Sequence, residues 1–481
     1  MRPLRPWAAF ASLCLGFLLV SIDGSIVAIA VPAMAAGLHA PVTAVLWAVT
    51  GYLLAYVAPL LVTGWLGDRL GHRRVYLLGL LVVFAGSAAG ALAPSAGLLV
   101  AGRVVQGLGA ALMAPQTLAL ITRLMPAPSL GPALGLWGAS AGAANVLGPA
   151  LGGALVTAFG WRAVLAVNLP VAALAIVLTL RLVPRGGDAE SGVGGAAERR
   201  LDAPSGLLSV LAIAALVAGV QQLGGSGSDG TAAVLLLVLG VVFAILLALR
   251  QRDPDRRLLP AVLFASGVYG PALLGVFAVS ALITAVPVLV VLAAQIGLGL
   301  APAVAALEVL PIGVASMLMQ PLVGRLIGRI APALIARLAL LLLAIGAGAV
   351  AVSLTGGSPP VIAAAVGLLG LGAAGVWSPL SMLAVAGAPV SLTGSAGAGY
   401  NLARQLGAAL GAAAATALVH WQLIARFAAG ASRAAALRGT ITTAQAPQYL
   451  AACASVVAIL VAPPVIAAAV LSLVPRSRPD V

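Results

Sequence analysis

The sequence predicts an all-α polytopic membrane protein, and three observations carry that prediction. Of its 481 residues, 62% are hydrophobic and only 7% charged, with a mean hydropathy of +1.16; such a chain cannot cover a soluble fold with polar surface. Apolar runs of about 20 residues, the length a helix needs to cross a ~30 Å hydrocarbon core, recur from end to end. All 25 basic residues are arginine, and all but two fall between those runs, mostly in every second connection. The 58 glycines suit the same class, because small residues let transmembrane helices approach closely where no hydrophobic effect drives them together.

Reading apolar runs against charged or Pro/Gly breaks gives about fourteen spans. The first, 7–33, follows Arg2 and Arg5 and is longer than the ~7–15 apolar residues of a secretory signal, so "AMA" at Ala33 to Ala35 is read as helix rather than cleavage site. Next come 44–64, 75–93, 96–122, 130–157 and 162–183, which complete a first block of six. The polar, Gly/Ala-rich stretch 184–203 reads as a cytoplasmic linker. Two continuously apolar runs, 204–223 and 231–250, form an extra pair. The second block is 265–293, 301–324, 333–354, 360–385, 392–419 and 450–473, with an alanine-rich external segment from His420 to Tyr449 that suits an interfacial helix. The domains expected are therefore 1–183, the linker 184–203, the pair 204–250 and a final bundle 251–481.

Orientation follows from the arginines. With the N-terminus inside, Arg162, Arg426, Arg433 and Arg438 lie outside, Arg103 and Arg404 lie within helices, and the other nineteen are cytoplasmic. Both termini are then cytoplasmic, in a cell membrane. The net charge of +14 follows topology and does not suggest nucleic acid. Cys14 and Cys453 sit in apolar runs and the three histidines in separate loops, so no disulfide, metal or cofactor is expected.

The charge is concentrated in "GWLGDRLGHRR", Gly64 to Arg74. Topological anchoring explains its arginines but not Asp68, Gly64 or Gly71, which suggest a tight turn with a carboxylate aimed at a neighbouring helix end. The stretch resembles the cytoplasmic-loop signature of the major facilitator superfamily, G-x-L-a-D-r-x-G-r-k, through Gly64, Leu66, Asp68, Arg69, Gly71 and Arg73; Gly67 and His72 depart from it. The resemblance implies a fold of two six-helix bundles, here with the extra central pair, and a conformational gate at these residues that steadies the outward-facing state. "LVAGRVVQGLGAALMAP" is similar to the R-x-x-q-G-x-G pattern through Arg103, Gln106, Gly107 and Gly109. "GLWGASAGAANVLGPALGG" is similar to the exporter motif through Gly135, Gly148, Pro149, Gly152 and Gly153, with Ala144 in place of a glycine. "SIDGSIVAIAVP" resembles the first helix of fourteen-helix drug:proton antiporters through Asp23, Ile26, Val27, Ala30 and Pro32, with Ser25 for Thr and Ala28 for Asn. "GWRAVLAVNLP" resembles the segment that opens the sixth helix, and "SAGAGYNLARQLGAALG" carries the likeness into the second half. In "GRLIGRI" Gly328 replaces the aspartate, so no second latch is expected.

Of the 11 acidic residues only Asp23 and Glu308 lie well inside apolar spans. A buried carboxyl there can load a proton on one side and release it on the other. Asp23, Arg103 and Glu308 are the expected proton-coupling residues, with a fixed Asp23–Arg103 pair and a structural Glu308–Arg404 pair as the plainer alternatives. Gln106, Asn145, Glu308, Trp377, Asn401 and Arg404 are the expected substrate lining, suited to bulky lipophilic and cationic molecules. The function expected is proton-coupled export of drugs or natural products, with lipid and small molecules as partners and a monomer sufficient. The alternatives are an uptake symporter of the same fold and a non-transporting receptor or enzyme. "GASAG" at Gly138 to Gly142 and "GLGAAG" at Gly370 to Gly375 imitate enzyme motifs but fall inside spans, so no enzyme is expected.

Overall fold

The structure, a computed structural model, describes residues 6–184, 202–223, 230–253, 257–327, 329–386, 388–389, 392–427 and 441–473. Among these there are helices and turns and no strand. Helix α1 is Pro6–Gly37, α2 Val42–Val57, α3 Leu60–Leu70, α4 His72–Ala91, α5 Ala96–Leu124 and α6 Ala127–Phe159. The short α7, Arg162–Ala166, leads into α8, Asn168–Leu182, and the extra pair is α9, Ala203–Leu223, and α10, Gly230–Arg250. Then come α11, Ala261–Ala265, α12, Tyr269–Leu292, which ends in a π turn at Ala293–Gly297, α13, Pro302–Leu307, α14, Leu310–Leu326, α15, Pro332–Gly356, and α16, Pro359–Ala386. Helix α17 is Thr393–Arg426, α18 Ala446–Ile459 and α19 Ala462–Ser472.

Among the described residues, twelve segments are long and apolar enough to cross a membrane, and the bent pair α2 and α3 makes thirteen. The expected span 130–157 coincides with α6, whose 33 residues reach about 50 Å. Several spans expected as single helices are broken, and proline is the common cause, since it cannot donate to the carbonyl four residues back. Pro59 marks a 48° bend between α2 and α3, Pro170 follows the break at Val167, and Pro311 follows the break at Glu308 and Val309. The external segment is a partial correction: His420 to Arg426 continue α17 rather than starting an interfacial helix, and 428–440 lie outside the described residues. So do 185–201 of the expected linker, whose last residue, Ala203, already belongs to α9.

The chain divides into two compact units, one of Met1–Gly219, Val234–Tyr269 and Ala384–Leu402, the other of Val220–Ala233, Gly270–Leu383 and Ala403–Val481. In the first, α4 and α5 touch backbone to backbone. A Cβ on Gly86 would lie 2.6 Å from the Gln106 nitrogen, and one on Gly109 2.6 Å from the Val83 nitrogen. That approach brings the polar side chains of α5 level with those of α4. A core of Ile26, Val27, Ala30, Val31 and Met34 from α1 with Trp161, Val164 and Leu165 sets the register of the α7–α8 segment on α1. In the second unit, α14 packs on α16 through Gly370, where a Cβ would meet Ile312 Cα at 2.8 Å.

Candidate functional site

Asp23 lies in the apolar middle of α1, 1% exposed. An isolated carboxylate there is costly, and the first unit supplies three donors. Arg103 Nη1 forms an ion pair with Asp23 Oδ2. Gln106 Nε2 and Asn168 Nδ2 donate to Oδ1 at 2.8 and 2.6 Å. Gln106 accepts from Arg103 Nη1 at 2.6 Å and donates to Ser87 Oγ at 2.9 Å. The guanidinium also donates to the Ala48 carbonyl at 3.2 Å and lies 4.0 Å from the Tyr52 ring centre, a cation–π contact. Its Nη2 is buried without a hydrogen-bond partner among the described residues. The expected Asp23–Arg103 pair is present, and Gln106, expected in the substrate lining, is placed in this network instead. Asn168, Ser87 and Tyr52 were not singled out from the sequence, although a polar group in an apolar span was the available signal.

The second cluster surrounds Asp68, near the end of α3. Gly71, at φ 93°, turns the chain from α3 into α4, a conformation in which a Cβ would be strained. Asp68 then faces the first turn of α17. Its oxygens accept from the Gly394 N–H at 2.7 Å, the Ser395 N–H at 2.8 Å and the Ser395 hydroxyl at 2.6 Å. The first-turn N–H groups of a helix lack intrahelical acceptors and carry partial positive charge, so a carboxylate is their natural cap. Gly64 permits the approach, since a Cβ there would lie 2.7 Å from the Gly394 carbonyl.

A chain of hydrogen bonds backs the cap. Gln116 Nε2 donates to the Thr63 carbonyl at 2.8 Å, which turns Gln116 Oε1 toward His72 Nδ1, also at 2.8 Å. That assigns the proton to Nδ1 and leaves Nε2 to accept from Thr393 Oγ1 at 3.3 Å. Arg123 donates to the same hydroxyl at 3.0 and 3.2 Å. Arg73 points away from the cap and donates to the Val183 and Leu180 carbonyls at 2.9 and 3.1 Å, at the C-terminal end of α8. Arg69 is exposed, over the Trp65 ring at 5.2 Å. His72, Gln116, Arg123, Thr393 and Ser395 are members of this cluster that sequence reasoning did not assign.

In the second unit Glu308 sits at the break between α13 and α14, 6% exposed. Its Oε2 has no hydrogen-bond partner among the described residues. Trp377 is half-buried. Asn401, in the first unit, is fully buried, with Nδ2 donating to the Gly397 carbonyl at 2.9 Å and Oδ1 unpartnered among the described residues. In the exporter motif Gly135, Gly148 and Gly152 are buried, and a Cβ on Gly152 would meet the Ile26 carbonyl at 3.0 Å; Gly153 faces open space. The side chains of Ser25, Ala28, Asn145 and Pro149, and all of Gly328, lie outside the described residues. "GASAG" lies within α6 and "GLGAAG" within α16, so neither forms the turn an enzyme motif needs. No His, Cys, Asp or Glu group suited to a metal occurs among the described residues.

The Major Facilitator Superfamily profile matches residues 13–412. The methylenomycin A resistance protein of Streptomyces coelicolor is 32% identical over 87% of this chain and 87% of its own. The tetracenomycin C resistance and export protein of Streptomyces glaucescens is 32% identical over 85% of this chain and 75% of its own. Among solved structures, the proton:xylose symporter XylE is similar in fold, with a TM-score of 0.63 at 16% identity over 98% of this chain and 96% of the other.

Proposed function

Because the chain belongs to the major facilitator superfamily of membrane carriers, we propose that it is a drug exporter that works as a proton-coupled antiporter, by alternating access, on lipophilic and cationic compounds. Export is supported by relatives such as the tetracenomycin C resistance and export protein and by the fifth-span glycine motif. The observation that carries proton coupling is Asp23, a carboxyl group 1% exposed inside α1 and held by Arg103, Gln106 and Asn168. To load a proton it must let go of a donor, so protonation and rearrangement of α1 against α5 and α8 are one event. Glu308, with an unpartnered oxygen, is assigned to recognition of cationic substrates.

The Asp68 cap on α17 is assigned to the conformational gate, together with Gly64, Arg69, Gly71 and Arg73. In this reading it forms in one access state and breaks in the other. The arginine asymmetry supports a cell-membrane orientation with both termini cytoplasmic, and the continuous apolarity of α9 and α10 supports fourteen spans, two six-helix bundles and this extra pair.

Proteoliposomes test the coupling. Asp23→Asn should abolish gradient-driven efflux of every substrate, once insertion is shown to match wild type; that control matters because Arg103 is left buried without its counter-ion, a loss of about 3–5 kcal/mol. Unchanged gradient-driven efflux in Asp23→Asn sinks the coupling role.

A further inference from the structure

Asn168 is 2% exposed, and its amide makes a 2.6 Å bond to Asp23 Oδ1, the oxygen that also accepts from Gln106 of α5. Resting on the proton-coupling reading above, we propose that Asn168 is a positioning residue for Asp23, holding the carboxylate turned toward Arg103 for its part in coupling.

The fold places Asn168 with some care. Gly160, at φ 79°, ends α6, and Trp161, Val164 and Leu165 then bury themselves against Ile26, Val27, Ala30, Val31 and Met34 of α1. Asn168 follows Val164 by four residues and Leu165 by three, so it shares their face. It is the first residue of α8, just past the break at Val167. The apolar contacts thus fix the register, and Asn168, the first buried residue of α8, arrives beside the single carboxylate of α1.

The chemistry of the neighbours is one-sided. From α5, Arg103 has only N–H groups to offer, and Gln106 has its oxygen engaged by Arg103 Nη1, which leaves its NH2 for Asp23 and Ser87. From α8, Asn168 presents its NH2. From α2, the Tyr52 hydroxyl donates to the Val20 carbonyl at 3.4 Å and its ring faces Arg103. Ser87 of α4 faces Gln106. The three side chains hydrogen-bonded to Asp23 among the described residues all donate to it, which suits a carboxylate. Removing the Asn168 amide takes away one of three donors without touching the counter-ion.

The test uses the full chain in proteoliposomes, with ethidium, a fluorescent aromatic cation, as the substrate probe. Efflux is followed at a constant pH difference while absolute pH is scanned. Asn168→Leu, similar in volume and lacking the donor, should displace the midpoint of the pH profile of efflux by about one unit, with ethidium KM within about twofold of wild type. Asn168→Ser, which retains a short donor, should stay nearer the wild-type midpoint. Asn168→Ala carries the same expectation should the leucine fail to insert. A rate that falls equally at every pH with an unmoved midpoint reduces Asn168 to packing and overturns the proposal. Wild-type efflux that ignores the gradient is a different result, and it removes the coupling reading itself.

Discussion

Asp68 accepts three hydrogen bonds from Gly394 and Ser395, and a charged acceptor makes each of them stronger than a neutral one. Asp68→Asn keeps the size and can still accept, but it loses the charge that complements the start of α17. A loss of about 2 kcal/mol from one access state shifts the ratio of the two by about 30-fold. Insertion should be intact, because the arginines that orient the loop remain, while transport falls about tenfold or more. Flux measured per correctly inserted molecule decides it, and full activity would leave the loop only an anchor. Glu308→Gln should be selective: with Oε2 unpartnered, neutralising it removes a counter-charge for a cation but costs a neutral lipophile little. Export of a cationic and of a neutral compound should separate by about tenfold in that variant, and equal loss of both would move Glu308 to coupling.

At the level of elements, proline and glycine decide where helices stop, and the stops carry chemistry. Glu308 and Asn168 both sit at breaks that precede a proline, and Asp68 stands one turn before Gly71. The extra pair has its own clasp: Arg250, at the end of α10, forms an ion pair with Asp202, which also accepts from the Ser205 N–H at 3.1 Å and hydroxyl at 2.6 Å, capping α9. The Arg250 guanidinium beside it holds the Asp202 carboxyl well below the usual carboxylate range. Since its folded value is depressed, the clasp is complete above the ordinary Asp range near ~3.9 and is lost only as pH falls through the lower folded value. Hydrogen exchange in the first turn of α9 should thus be insensitive to this group between pH 8 and pH 4, after correction for intrinsic rates. In Asp202→Asn it should quicken about two- to fivefold throughout that range, the modest effect of a partly exposed pair. A wild-type transition near pH 6 would contradict the assignment.

At the level of the whole molecule the arginine distribution makes the topology testable. In a background with Cys14 and Cys453 replaced, a cysteine at Ala189 should label from the cytoplasm and one at Ser226 from outside, because α9 lies between them. Labelling of both from one side would take α9 and α10 out of the membrane and leave twelve spans.

What the sequence by itself determined was the class, the segments and the pieces of chemistry. Composition and run length require membrane helices, since of the two structures that satisfy a backbone in lipid only the helix needs continuous apolar runs of about 20 residues. A charge in an apolar run is rare enough to mark Asp23, Arg103 and Glu308 without any coordinates. Asp68 stood out for a different reason, as a carboxylate in a charged loop that topology did not need. Only the tertiary structure decided partners. That Asp68 caps the N-terminus of α17, more than 300 residues away, is invisible in either stretch, because a helix end offers backbone N–H groups that no side-chain pattern announces. Asn168 and Gln116 look like ordinary residues of apolar helices until packing brings a carboxylate and a histidine beside them. Hydropathy is a property of segments and is written in order along the chain, whereas a buried hydrogen bond belongs to two segments at once and comes into being only when the register between them is set.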